Sequence, residues 1–135
     1  MQNTLLKLVI EYFELERKSR IPNPENLIYV ESCMLEDNVY RVYFKNKTIK
    51  HFVERRKEDL LKRNSKEKTL QIIINMIKDL PEAITAYTKV TKNYMREDSY
   101  LLYKDFQNAN KTPVTLVLEQ DQKGLLIISY YFTKR

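Results

Sequence analysis

Pro81 divides the chain into two textures, and the second of them leaves few ways to fold. After it, β-branched and aromatic residues alternate with period two, and four segments read as strands: 83–90, 99–106, 112–119 and 125–133. The connections between them are short and polar. The sharpest is Asp121-Gln122-Lys123-Gly124, where the chain's single glycine supplies the positive φ of a hairpin turn. A parallel return needs a dozen or more residues, so strands joined this briefly pair antiparallel. The second half is therefore expected to form a four-stranded antiparallel meander.

Before Pro81 the apolar residues fall at helical spacing. Leu5, Leu6, Leu8, Val9, Tyr12, Phe13 and Leu15 predict an amphipathic helix over residues 3–19, and Arg20-Ile21-Pro22-Asn23-Pro24 ends it, because a proline turns its predecessor away from the α region. Residues 27–34 and 39–44 predict a small hairpin around Glu36-Asp37-Asn38. A second helix is expected from near Thr48 to the break at Asn64-Ser65. A third spans 66–80, with Leu70, Ile73, Ile74 and Ile77 as its stripe. The fold expected is α+β and a single domain over 1–135: an N-terminal helix and hairpin as an extension (1–36), then a core (39–135) of two helices packed on one face of the meander.

Composition narrows the chemistry. A chain of 135 residues buries roughly two thirds of its unfolded surface without a covalent staple. Cys33, the lone cysteine, makes no internal disulfide and no cysteine-based zinc site; it reads as a small buried hydrophobe in a chain that works in the cytoplasm or is delivered into one. No apolar run approaches the ~20 residues of a membrane span. Glu11, Glu14 and Glu16 interrupt the N-terminus, so no signal peptide is expected. The single glycine leaves no phosphate-cradling loop, nucleophile elbow or dinucleotide fingerprint. The single histidine leaves no metal-ligand repeat, and neither metal nor cofactor is expected. A net charge of +6 favours polyanions, nucleic acid first.

The second helix carries the densest signal, "KHFVERRKEDL" from Lys50. Its buried side is set by Ile49, Phe52, Val53, Leu60 and Leu61; His51 and Arg55, four apart, share one flank of that stripe. Arg56 falls inside the stripe, where a guanidinium must find a carboxylate, a phosphate or a route to water. An imidazole beside arginines suits metal-independent cleavage of RNA. The imidazole moves a proton to or from the reacting oxygens, and arginine meets the charge developing on the phosphoryl group. A hydroxyl, phenol or amine from the sheet completes such a site, and in the last strand Ser129 and Tyr131 are the candidates. Alternation places them with Ile127 and Thr133 on one face, opposite Leu126, Ile128, Tyr130 and Phe132.

The order of "IKHFVERR" opening a helix, "DLPEAI" ending the next and "LLIISYYF" in the last strand resembles the phage and polymorphic-toxin branch of the barnase/EndoU/colicin/RelE-like nuclease superfamily. The resemblance runs from about Val39 to the C-terminus. Its motif positions fall on Lys50, His51, Arg55 or Arg56, on Pro81, and on Ser129 with Tyr130. It implies helices on a four-stranded antiparallel sheet and a metal-independent ribonuclease, often a toxin or effector, acting on tRNA or mRNA. A toxin tolerated by its producer implies an acidic inhibitor or immunity protein as partner. Beyond the catalytic set, Lys50, the loop residues Lys92, Tyr94 and Arg96, and the tail residues Lys134 and Arg135 are expected to hold RNA. The alternative is a non-catalytic RNA-binding or protein-interaction module that docks through the Leu and Tyr face of the N-terminal helix.

Overall fold

Leu5, Val9, Tyr12 and Phe13 recur at helical spacing and are all buried in helix α1 (Gln2–Glu14). The structure, a computed structural model, describes residues 2–93 and 96–134. Helix α1 stops at Glu14, short of the expected 19, because nothing after Leu15 extends its apolar stripe and Ser19 N–H instead closes a turn on the Glu16 carbonyl. Strands β1 (Leu27–Leu35) and β2 (Asn38–Lys45) form the expected hairpin; Glu36 and Asp37 at its tip take positive φ, 51° and 67°. Helix α2 (Asn46–Leu61) follows β2 without a loop.

Helix α3 (Lys66–Thr85) starts on Ser65, whose side chain accepts from the Lys68 N–H. It does not end at Pro81. The proline removes one helical hydrogen bond, but Leu80, Ala83 and Ile84 continue the buried stripe of Ile73, Met76 and Ile77, and that burial carries the helix to Thr85. The strand expected over 83–90 shrinks accordingly to β3 (Lys89–Lys92). Strands β4 (Ser99–Lys104), β5 (Val114–Gln120) and β6 (Leu125–Phe132) complete the chain.

The sheet is larger than the expected meander. Strands β3 to β6 pair antiparallel in sequence order, but β6 also pairs with β2, in parallel, at Val42↔Leu125 and Tyr43↔Leu126. The result is one six-stranded mixed sheet in the order β1-β2-β6-β5-β4-β3. The intervening helices and strands provide the long crossover that parallel pairing needs. Gly124 sits at this junction with φ 151°, and a Cβ there would lie 2.4 Å from the Arg41 carbonyl oxygen. Gly124→Ala is therefore expected to cost about 1–3 kcal/mol. An unchanged urea midpoint would show that the β2–β6 seam is not tight.

The N-terminal helix is no extension. Its apolar face joins the core formed by α2, α3 and the sheet. Asn46, buried at the start of α2, accepts from the Tyr12 hydroxyl and donates to the Pro22 and Asn23 carbonyls. Lys57 donates to the Phe13 carbonyl and lies 4.6 Å from the centre of its ring. The docking surface expected on the Leu and Tyr face is thus spent inside the molecule. Cys33 is buried, and desolvation pushes its thiol up to about 11. Among the described residues no helix is long and apolar enough to cross a membrane.

Candidate active site

Strand β2 turns into α2 after Lys45, so only Val42 and Tyr43 pair with β6. Beyond Leu126 the edge of β6 faces helix α2 instead of another strand. A cleft of about 570 Å3 opens between them. From α2 it takes Thr48, His51, Arg55 and Asp59, which recur every three or four residues on one helical face. From the sheet it takes residues 128–132 of β6.

Its floor is aromatic and fixed. Phe52 stacks on Tyr130 with ring centres 5.6 Å apart, Phe44 meets Phe52 edge-on at 6.0 Å, and the buried Tyr130 hydroxyl donates to the Met76 carbonyl at 2.8 Å. Burial holds the Tyr130 phenol well above its ordinary range, so it stays protonated.

A bulge sets which β6 side chains reach the cleft. Val117 pairs with Ser129 and Leu118 with Ile127, leaving Ile128 without a partner. Strict alternation fails at that point. Leu125, Ile127 and Tyr130 point inward together, and Ile128 and Ser129 are both exposed. The expected grouping of Tyr130 with Leu126 and Ile128 is corrected by this extra residue.

Arg56 lies where its place in the stripe put it, with a side chain only 15% exposed. One terminal nitrogen reaches the Tyr130 carbonyl at 3.5 Å and the other lies 3.6 Å from Asp59, both long contacts. Its Nε is buried and has no partner. Burial lowers its pKa below the ordinary value, the carboxylate of Asp59 works against that shift, and the charge of Arg55 adds to it. A guanidinium remains protonated at neutral pH even so. His51 and Arg55 are exposed at the mouth, and neither makes a hydrogen bond or ion pair among the described residues. The edge of β6 adds main-chain groups: the Tyr130 carbonyl points at Arg56, and strand geometry turns the Phe132 N–H and C=O to the same side.

His51, Arg55, Arg56, Ser129 and Tyr131 thus share one cleft. The nucleic-acid set does not. Lys50 is buried on another flank of α2, where it donates to the Arg17 carbonyl at 2.8 Å and to Glu54 at 3.1 Å; it fastens the loop after α1 and is not available to RNA. Lys92 lies on β3, at the opposite edge of the sheet from the hairpin, with β4 and β5 between it and β6. Arg96 is 3.6 Å from Glu119 and does not line the cleft. Tyr94 and Arg135 lie outside the described residues. Lys134 lines a neighbouring groove. Asp59 and Phe132 also line the cleft; each falls within a quoted stretch, "KHFVERRKEDL" and "LLIISYYF", without being among the residues expected at the site, although Asp59 continues the four-residue step from His51 through Arg55.

Among the described residues no three His, Cys, Asp or Glu side chains group as a metal site requires. Comparison with protein-family models, with curated proteins and with solved structures finds no match.

Proposed function

We propose that the chain is a metal-independent ribonuclease that cleaves RNA by attack of a ribose 2′-OH on the adjacent phosphorus. The observation that carries this reading is Arg56, a nearly buried guanidinium with an unpartnered Nε, set in one cleft with an unpaired imidazole and a second arginine. A buried cation short of partners fits a site whose missing partner is an anion. In the reaction the O2′–P bond forms and the P–O5′ bond breaks. His51 carries one of the two proton transfers, from the 2′-OH or to the departing 5′ oxygen, and the Tyr131 phenol carries the other. Arg55 and Arg56 hold the phosphoryl oxygens, with the Ser129 hydroxyl as a further donor. The products are a 2′,3′-cyclic phosphate and a 5′-hydroxyl. The resemblance in "KHFVERR" and "ISYYF" to toxin ribonucleases supports the same reading and adds the proposals of an effector role and an acidic inhibitor.

The test is incubation of the purified protein with total RNA and tRNA in EDTA, with the ends of the products identified by mass. Cyclic phosphate ends are expected, and His51→Ala is expected to slow their appearance at least about 100-fold. Intact RNA with folded protein would overturn the reading in favour of a binding module.

A further inference from the structure

A second groove, of about 670 Å3, continues the cleft past the C-terminal end of α2, and Asp59 and Phe132 line both. Its walls are cationic. Lys62 and Arg63 come from the turn that follows α2 and Lys134 from the residues after β6, and none of the three forms an ion pair among the described residues. Lys111 adds a fourth positive charge but is held by Asp79 at 2.9 Å and lies 4.4 Å from the centre of the Phe106 ring, so it shapes the wall. Among the described residues Asp59 is the one carboxylate lining the groove, and it is turned toward Arg56. Cations at a helix C-terminus offset the helix dipole, which accounts for Lys62 and Arg63 but not for Lys134 converging on them from another element. A concave surface of one sign concentrates potential and draws in polyanions. Phe132, 36% exposed, stands at the seam where cleft and groove meet.

We propose that this groove is a second subsite for single-stranded RNA: Lys62, Arg63 and Lys134 hold backbone phosphates of the flanking nucleotides, and Phe132 stacks on an unpaired base between the two cavities. Each cavity is of the size that takes one drug-sized ligand, so cleft and groove together accept several consecutive nucleotides. Base stacking tolerates any sequence, and phosphate contacts carry none. The groove therefore makes the protein prefer longer single strands without selecting their sequence. The inference rests on the reading that the cleft takes RNA.

The experiment measures binding in EDTA by fluorescence anisotropy, with labelled oligouridylates of dinucleotide and octanucleotide length. His51→Ala serves as the parent so that the probe survives. The octanucleotide is expected to bind at least tenfold tighter than the dinucleotide. Adding Lys62→Gln, Arg63→Gln and Lys134→Gln together is expected to erase that advantage while leaving dinucleotide affinity unchanged. Three phosphate contacts on a single strand contribute roughly 2 to the slope of log affinity against log salt, so between about 50 and 200 mM salt the parent should lose about 20-fold more affinity than the triple variant. Phe132→Ala is expected to weaken the octanucleotide about tenfold and to leave binding of inorganic polyphosphate unchanged; equal losses for both probes would overturn the stacking role. Equal affinities for the two lengths, or an advantage that survives the triple variant, would overturn the groove as a subsite. If the wild-type protein leaves RNA intact yet the length dependence appears and vanishes as described, the ribonuclease reading falls and the groove stands. Cleavage without length dependence does the opposite: the groove falls and the ribonuclease stands.

Discussion

Arg56→Met is expected to lower RNA cleavage by about 10³-fold while leaving the protein at least as stable as the parent. The two halves of this result have different physical origins. Cleavage falls because an arginine that meets the charge of a transferring phosphoryl group is worth roughly 10³ or more in rate, and Arg56 is the guanidinium with an orphaned donor in the cleft. Stability holds because the residue is poorly compensated in the free protein. Its contacts to Tyr130 and Asp59 are 3.5 and 3.6 Å long, and Asp59 is 63% exposed, so water takes up that carboxylate when the arginine is gone. Methionine keeps an unbranched stem in the cleft and removes the cost of a desolvated charge, and such replacements are often neutral or stabilising. Arg56→Lys should recover only part of the activity, since a point charge does not reproduce the directed fork. The measurements are initial rates in EDTA and urea midpoints on the same preparations. A variant that keeps its rate would move the phosphate clamp to Arg55. A variant that loses more than about 2 kcal/mol would make Arg56 a structural residue, because a destabilised fold alone then accounts for lost activity. Lys92→Ala is the control, since Lys92 sits on β3 with two strands between it and the cleft.

The parts of the molecule legible in the sequence are those written in local periodicity. The stripe of α2 gave the shared flank of His51 and Arg55 and the anomaly of Arg56, and the period-two texture after residue 98 gave β4, β5 and β6. What stayed hidden depends on distant partners. Nothing near Val42 or Leu125 announces that these residues pair in parallel across more than half the chain, yet that pairing splays α2 from the edge of β6 and so creates the cleft. Pro81 reads locally as a helix end, and only the burial of Leu80, Ala83 and Ile84 against the sheet carries α3 past it. Lys50 illustrates the same limit at one side chain. Its neighbour His51 faces the cleft, but one residue of helix is about 100° of rotation, and that step sends the lysine to Arg17 and Glu54.

Phe13→Ala is expected to destabilise the protein by about 3–5 kcal/mol, the range for emptying a fully buried phenylalanine site. Typical domains hold about 5–15 kcal/mol in all, so this one truncation in α1 removes a large share. Phe13 is 0% exposed and shares the core with Leu5, Val9 and Tyr12, and its ring and carbonyl both receive Lys57 of α2. Helix α1 therefore braces the back of the helix whose front face carries His51, Arg55 and Arg56. Tyr12 to Asn46 and Lys50 to the Arg17 carbonyl brace the same helix nearer its start. Loosening α1 should accordingly weaken cleavage near the melting temperature before it does so in the cold. Ile10→Ala in the same helix is the control: Ile10 is 43% exposed, and a surface truncation costs within about 0.5 kcal/mol. A urea midpoint for Phe13→Ala as close to wild type as that of Ile10→Ala would mean that residues 39–135 stand alone, as the motif boundary near Val39 suggests. A large loss means that the first helix belongs to the core, because α2 keeps its place over β6 only while α1 holds it from behind.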